Sequence, residues 1–335
     1  MKLRTSVRLV LSVCVLGALL FPQYLQPSLD RLYHCLYHSR LFKASYFETL
    51  WTVFSYAVIE VLYTVRFVQN PSLRLDAPSK DARRPRMRRP SKRLREIATY
   101  ILPLLTMDLL LMKKYAGVPP RENLLTGGWD PDAADAASFS SSFLRPRMHR
   151  ITLSSPLQLR RARPPSPPTT RRVILELVAA LLIYDTLFFV AHLALHNIPV
   201  LAKFHAPHHR HGEINPQITN QLDIVERLTL VLLANFSLNI IGSHVLTRTL
   251  FVPVFVWLLV EIHSGLDLEL GYDKLLPAGW GAGSKRHAVH HRGGKEYFEP
   301  YFCWWDNLLV KIQGGPDGRR EVKNAIGSEP SEVAR

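Results

Sequence analysis

Blocks of apolar residues alternate with polar, strongly basic stretches along the 335-residue chain. The longest block, residues 173–195, reads VILELVAALLIYDTLFFVAHLAL, and Asn197 and Pro199 end it. About 20 such residues cross a bilayer as a helix, so this block predicts a membrane span. Residues 1–23 join a basic start to an apolar run without a small-x-small cleavage site, which predicts an uncleaved membrane anchor.

Four shorter apolar blocks complete the pattern, at 47–68, 98–112, 228–241 and 245–262. The last two are joined at Gly-Ser-His and predict a helical hairpin, although both are short for a full crossing. Asp108 lies at the end of the second block, where a carboxylate is either functional or placed among the lipid head groups. The whole pattern predicts an all-α, multi-pass membrane helical bundle.

Basic residues dominate the stretches between these blocks, and the chain carries a net charge of +15. The arginines lie in Pro-rich loops beside apolar blocks, which argues against a nucleic-acid partner. Residues 70–97 hold ten Lys or Arg against three acids and should lie on the cytoplasmic side. Single crossings by 98–112 and 173–195 would then leave 145–172, with eight arginines, in the lumen. His196 and His263 would both reach the cytoplasmic face.

Nine of the 14 histidines fall within 100 residues, in four groups. These are HLALH (His192, His196), HAPHH (His205, His208, His209), the lone His263, and HAVHH (His287, His290, His291). Rings four residues apart on a helix share a face and can reach one metal ion. We expect Pro207 to start a helix, with His205 just outside it. Ser284 and Gly293 should cap a helix that carries the last three rings on one side.

Nine imidazoles are too many for one ion and suit two, and imidazole binds iron, zinc and copper. Carboxylates would be needed to fix the orientation of the rings. The candidates that lie near the histidines in sequence are Asp185, Asp267, Glu213 and Glu261. Cys14, Cys35 and Cys303 are far apart, and they indicate neither a disulfide framework nor a thiolate site. The pattern therefore predicts a histidine-rich di-metal site on the cytoplasmic face.

The remaining histidines serve as an internal comparison. HCLYH, with His34 and His38, has the same spacing as HLALH but stands alone, so we interpret it as a surface pair. His149, His211 and His244 are expected to be solvated or hydrogen-bonded. Trp304 and Trp305 in YFCWWDN are typical of an aromatic anchor at the membrane interface.

The order HxxxH, HxxHH, a lone His before Ser-Gly, then HxxHH and Trp-Asp resembles the fatty acid hydroxylase/sterol desaturase superfamily. The stretch that begins EIHSGLDLELGYD is most similar to the cholesterol 25-hydroxylase-like branch, and the resemblance covers about 176–311. Two departures concern the substrate. Tyr297-Phe298-Glu299-Pro300 stands where the family has an Asn-aromatic-Gly stretch, and Asn307-Leu308-Leu309-Val310 where it has a Leu-Phe-Gly-Thr-like run.

The resemblance implies a multi-pass enzyme of the endoplasmic reticulum membrane. Such enzymes use a non-haem centre of two iron ions, molecular oxygen and electrons from a cytochrome b5-type donor to hydroxylate or desaturate a sterol or other lipid. The ligand positions that carry over are the nine histidines. The chain then divides into four regions. They are N-terminal membrane segments (1–69), basic linkers around the block 98–112 (70–172), a fatty acid hydroxylase-like catalytic domain (173–312) and a disordered tail (313–335).

Two other functions fit parts of the pattern. A catalytically lapsed scaffold or metal-binding protein, such as a divalent-metal carrier, could keep many histidines. A carrier should place its ligands along a path through the membrane, whereas these lie at helix ends. A zinc-dependent membrane hydrolase would need a Glu base next to its histidines, which HLALH lacks. Metal content separates these possibilities.

Overall fold

A computed structural model describes residues 2–76, 90–133, 142–210 and 213–313. The α-helices are α1 (Lys2–Leu20), α2 (Gln26–His38), α3 (Arg40–Lys43), α4 (Phe47–Gln69), α5 (Pro90–Leu110), α6 (Pro120–Thr126), α7 (Thr170–Asn197), α8 (Pro199–His209), α9 (Ile224–Ile240), α10 (Val245–Ile262), α11 (Tyr272–Leu275), α12 (Gly283–Gly293) and α13 (Trp304–Gln313). In these ranges no β-strand forms, and only isolated bridges join extended residues. The predicted all-α fold is confirmed, while the predicted tail falls, from residue 314 on, outside the described residues.

Four helices are long and apolar enough to cross a membrane: α1, α4, α7 and α10. This set confirms the predicted multi-pass bundle and changes its details. Val245–Ile262 has 18 residues and is long enough, so the expectation that this block is too short was wrong. Block 98–112 overlaps the end of α5, whose described apolar part is Ile101–Leu110. The crossing by that block stays a prediction.

Helix α10 lies at the centre of the bundle and packs against α4, α7 and α12. Its core neighbours are aromatic: Tyr184 of α7 contacts Phe255 of α10 edge-on at a centroid distance of 4.8 Å and stacks on Tyr301 at 5.8 Å. Phe188, one turn further along α7, contacts His192 at 5.0 Å. An aromatic layer thus supports the end of the bundle where the histidines lie.

Two helix ends differ from the prediction, because proline and glycine act at other positions. Pro199 begins α8, and Pro207 lies inside that helix, so His205 is helical rather than outside. The sequence favoured Pro207 because it precedes His208 and His209. In α12, Ser284 is no cap; its hydroxyl donates to the Leu266 carbonyl at 2.6 Å. Gly294, at φ 65°, ends the helix in place of Gly293, since only glycine adopts this conformation without strain.

Candidate metal centre

The nine predicted histidines lie together in two adjacent groups, which we call group one and group two. Group one consists of His192, His196, His205, His209 and His290; group two consists of His208, His263, His287 and His291. Within each group, one nitrogen from every ring lies within 4.8 Å of the others. The groups touch, since the rings of His209 and His291 stack at a centroid distance of 4.7 Å.

Helices α8 and α12 each contribute to both groups. On α8, His205 and His209 are four residues apart and enter group one, whereas the intervening His208 enters group two. Helix α12 does the reverse, with His290 in group one and its neighbours on the same face, His287 and His291, in group two. Each HxxHH helix therefore contributes rings to both groups, rather than three rings to one group.

The inward-facing nitrogens are the Nε2 atoms, and they are close together. In group one, Nε2 of His205 lies 3.0 Å from that of His192 and 2.9 Å from that of His209. His196 and His290 approach to 3.1 Å in the same way. In group two the Nε2–Nε2 distances are 3.2 Å for His208 and His263, 2.8 Å for His263 and His287, and 3.1 Å for His287 and His291.

The Nδ1 atoms of five of these rings point outward to acceptors. His192 donates to the Phe298 carbonyl at 2.8 Å, His290 to that of Glu296 at 2.7 Å, and His263 to that of Leu259 at 2.8 Å. His205 Nδ1 lies 2.6 Å from Oε1 of Glu226, and His209 Nδ1 lies 3.3 Å from the His291 carbonyl. A proton held on Nδ1 leaves the lone pair on Nε2, so these five rings turn lone pairs toward one another.

Protonation does not relieve this crowding, because burial disfavours imidazolium. Burial, followed by the neighbouring rings, lowers the pKa of His208, His287 and His291 well below its usual value. The same two causes lower the pKa of His209 to about 4, and burial lowers that of His205 to about 4. Neutral nitrogens about 3 Å apart have the spacing of neighbouring ligands bound about 2.1 Å from one ion. The donor sets therefore fit two metal ions of the kind that imidazole prefers.

The loop between α12 and α13 holds the carbonyls that orient His192 and His290. Asp306 accepts hydrogen bonds from the backbone of Phe298 at 2.8 Å and of Glu299 at 3.2 Å. Tyr297, between the two accepting carbonyls, has φ 60°, a conformation that costs a non-glycine residue about 1 kcal/mol or more. Such strain persists only where the surroundings fix the backbone, so this loop is held in one conformation beside the histidines.

The four carboxylates chosen from the sequence lie elsewhere. Asp185 accepts from the backbone of Tyr301 and Phe302 at 2.8 and 3.2 Å, and it therefore supports the loop rather than a ring. The other three carboxylates have partners other than the histidine rings. Glu261 binds Tyr63 and the Tyr272 backbone, Asp267 pairs with Lys274 and Lys285, and Glu213 accepts through its backbone carbonyl from Asn215.

Glu226 is the carboxylate that contacts a ring, and the sequence analysis missed it. It lies in the first turn of α9, three residues after Asp223, which caps the helix by accepting from the Val225 backbone at 2.8 Å. An acid there is typical of an ordinary helix start. Burial, followed by Asp223, raises the pKa of Glu226 to about 9. A cation bound to His205 would oppose that shift by favouring the ionised carboxylate.

The other histidines that the structure describes lie apart from the two groups. His34 and His38 are exposed on α2, with their rings 4.5 Å apart. His149 is buried, and its Nε2 lies 2.9 Å from the Ser155 carbonyl. His244 is buried at the start of α10, where Nδ1 accepts from the Leu246 backbone at 3.1 Å. His211 lies outside the described residues.

Comparison with known proteins agrees with this arrangement. Residues 177–310 match the family model of fatty acid hydroxylases, and this range contains all nine grouped histidines. Residues 177–310 are therefore similar to a fatty acid hydroxylase domain. The resemblance seen in the histidine pattern is thus confirmed for the superfamily and for its cholesterol 25-hydroxylase-like branch.

Three curated proteins are similar to this part of the chain. A cholesterol 25-hydroxylase-like protein of Danio rerio is 37% identical over 143 residues, which cover 42% of this chain and 57% of the relative. The cholesterol 25-hydroxylase of Rattus norvegicus is 32% identical, covering 47% of this chain and 53% of the relative. The C-4 methylsterol oxidase erg25 of Schizosaccharomyces pombe is 26% identical, covering 44% and 50%. The chain thus matches about half the length of these relatives, and no solved structure matches it.

Proposed function

We propose that the protein is a membrane-bound di-iron oxygenase that hydroxylates or desaturates a C–H position of a sterol or other lipid. The observation that carries this proposal is the convergence of buried, neutral Nε2 atoms, 2.8–3.2 Å apart, in two adjacent groups. The similarity to fatty acid hydroxylases and to two sterol-oxidising relatives supports a lipid as the substrate. O2 and external electrons are the proposed co-substrates.

Each histidine group would hold one iron ion. Group one offers five nitrogens and group two offers four. When bound, iron supplies the redox chemistry by which dioxygen reacts with an unactivated C–H bond, which no acid, base or nucleophile of the protein can attack. The chain's own residues orient the ligands: the carbonyls of Phe298, Glu296 and Leu259 and the carboxylate of Glu226 each fix one ring.

The placement of the site suits an apolar substrate. His192 and His196 lie in the last turns of α7, and His263 follows directly after α10, so the rings lie where two apolar helices end. A lipid would approach from the bilayer, and a soluble cytochrome b5-type donor would dock from water. We propose the cytoplasmic face of the endoplasmic reticulum membrane for this end, where the basic segments of the chain would favour an acidic donor.

Expression in yeast membranes tests the function. We expect wild-type protein to produce an oxygenated or newly unsaturated lipid, detected by mass spectrometry, and His290→Ala to produce none, since it removes a group-one nitrogen. His34→Ala is the matched control, because His34 belongs to an exposed pair with the same spacing as His192 and His196.

The same preparations, purified in detergent, give the metal content. We expect about two irons per chain for wild type and for His34→Ala, and fewer for His290→Ala. Zinc in place of iron would indicate the hydrolase, and two metals without a new lipid would indicate a metal-binding protein. Identical lipid profiles from well-expressed wild type and His290→Ala would contradict the proposal.

A further inference from the structure

A cluster of buried charged side chains lies apart from the two histidine groups. Most of its members precede residues 177–310, which match the fatty acid hydroxylase family. Lys113 pairs with Asp108 at 2.5 Å and with Glu48 at 3.3 Å. Arg161 pairs with the other oxygen of Glu48 at 3.0 Å. Asp108 also accepts from the Thr49 hydroxyl at 2.7 Å. These pairs balance two carboxylates with two cations.

Arg248 of α10 adds a third cation to this cluster. Its side chain hydrogen-bonds to the amides of Asn239 and Asn235, and the residue is only 7% exposed. Among the described residues no carboxylate lies within 4 Å of Arg248, and its buried Nε has no hydrogen-bond partner. Glu48 attracts Arg248 from a longer distance, but its two oxygens are paired with Lys113 and Arg161. The cluster therefore carries one net positive charge. A buried charge without a counter-ion is costly, so this position favours an anion.

The cavity beside Arg248 is lined mainly by apolar side chains. Its volume is about 510 Å³, and its wall includes Met107, Leu232 and Phe236 as well as Arg248. The carboxylates of Glu48 and Asp108 also line it, and both are paired with Lys113. Cavities of about 300–1,000 Å³ enclose a single small ligand. Leu232 and Phe236 are 48% and 43% exposed, so the cavity opens between α5 and α9 at an apolar surface. The entrance is suited to a molecule that arrives from the bilayer.

This cavity is separate from the histidine groups. Arg248 precedes His263 by fifteen residues, which is about 22 Å along a helix. A smaller cavity of about 90 Å³ also touches Arg248 and reaches only as far as Phe255. Beyond Phe255 stands the aromatic layer of Tyr184 and Phe188, and none of the nine histidines lines either cavity.

We propose that this cavity binds a single-chain anionic lipid, with its carboxylate on Arg248 and its acyl chain between α5 and α9. The volume suits one acyl chain rather than the two chains of a phospholipid. A second cation in the cavity wall, Lys114, also favours an anionic ligand. Burial, followed by the nearby Arg147, lowers the pKa of Lys114.

Binding of oleate and of oleyl alcohol to the full-length protein in detergent tests this site, since the two probes share a chain and differ in charge. We expect oleate to bind at least tenfold more tightly, because a hydrogen bond to a charged group is worth about that factor. Arg248→Gln should remove this preference and leave the affinity for oleyl alcohol unchanged. Arg121→Gln is the control, because Arg121 is exposed and pairs with Asp132 away from the cavity.

Leu232→Trp is a second variant that fills the cavity without touching the buried charges. It should weaken both probes about tenfold while the protein stays folded. Equal binding of the two probes by wild type would overturn the proposal, as would unchanged oleate binding by Leu232→Trp or by folded Arg248→Gln. The outcome is independent of the proposed oxygenase activity, because His290→Ala should bind oleate like wild type.

Discussion

Oε1 of Glu226 lies 2.6 Å from Nδ1 of His205, and both side chains are buried. A carboxylate in this position fixes the ring and makes its other nitrogen a better donor to a metal. The remaining Glu226 oxygen is buried without a partner. The hydrogen bond to His205 is therefore the main contact of Glu226, and a substitution of Glu226 tests it.

Replacing Glu226 with leucine should lower iron affinity by about 10–100-fold, because the ring loses its acceptor. Glu226→Gln keeps an acceptor oxygen and should lose less. Iron titration of the metal-free protein measures both effects, and Glu213→Gln serves as the control, since Glu213 accepts through its backbone. Equal affinities of wild type and Glu226→Leu would contradict this role.

At this scale the spacing of the histidines predicted that the nine rings come together, because i,i+3 and i,i+4 neighbours on a helix stay close. It did not predict that each HxxHH sequence is divided between two groups. It could not predict Glu226, which is 21 residues from His205 in the chain. Nor could it predict the carbonyls of Phe298 and Glu296, since every residue has one. Partners of this kind depend on how separate elements pack.

At the scale of elements, Tyr63 of α4 is hydrogen-bonded to the end of α10 that precedes His263. The Tyr63 hydroxyl donates to Glu261 at 2.5 Å and accepts from the Trp257 indole at 2.8 Å. The other oxygen of Glu261 accepts from the Tyr272 backbone at 2.7 Å. Because Glu261 precedes His263 by two residues, α4 helps to hold the end of α10 that carries a group-two ring.

Tyr63→Phe should destabilise the protein by about 1–3 kcal/mol, because it leaves the partly buried Trp257 donor and an oxygen of the buried Glu261 without this partner. The apparent melting temperature in detergent should fall by several degrees. Tyr24→Phe is the matched control, since Tyr24 is 78% exposed. Equal melting temperatures for wild type and Tyr63→Phe would refute the connection.

Apolar blocks predicted where the helices lie, because a long apolar run has few other ways to satisfy its backbone in a membrane. The helix ends were less predictable. Pro207 resembles a helix start but lies inside α8, since Pro199 already begins that helix. Ser284 resembles a cap, but its hydroxyl is used by Leu266. A local competition between two prolines decided the first position, and a contact between separate elements decided the second.

At the scale of the whole molecule, the histidine groups connect α7, α8, α10 and α12. Metal bound only by the folded arrangement stabilises the fold. Removing iron with a chelator should therefore lower the apparent melting temperature by about 5–10 °C. A variant with His205→Ala and His287→Ala, one change in each group, should melt like the chelated wild type. A chelator that leaves the wild-type melting temperature unchanged would contradict this expectation.

The exchange of rings between α8 and α12 has a consequence for how the centre fills. His208 and His209 are adjacent on α8, as are His290 and His291 on α12, yet each pair is divided between the groups. An ion bound by either group would therefore immobilise both helices, and the second ion would meet nitrogens that are already in place. We expect metal loading to be cooperative, so that protein with too little metal separates into empty and doubly occupied molecules.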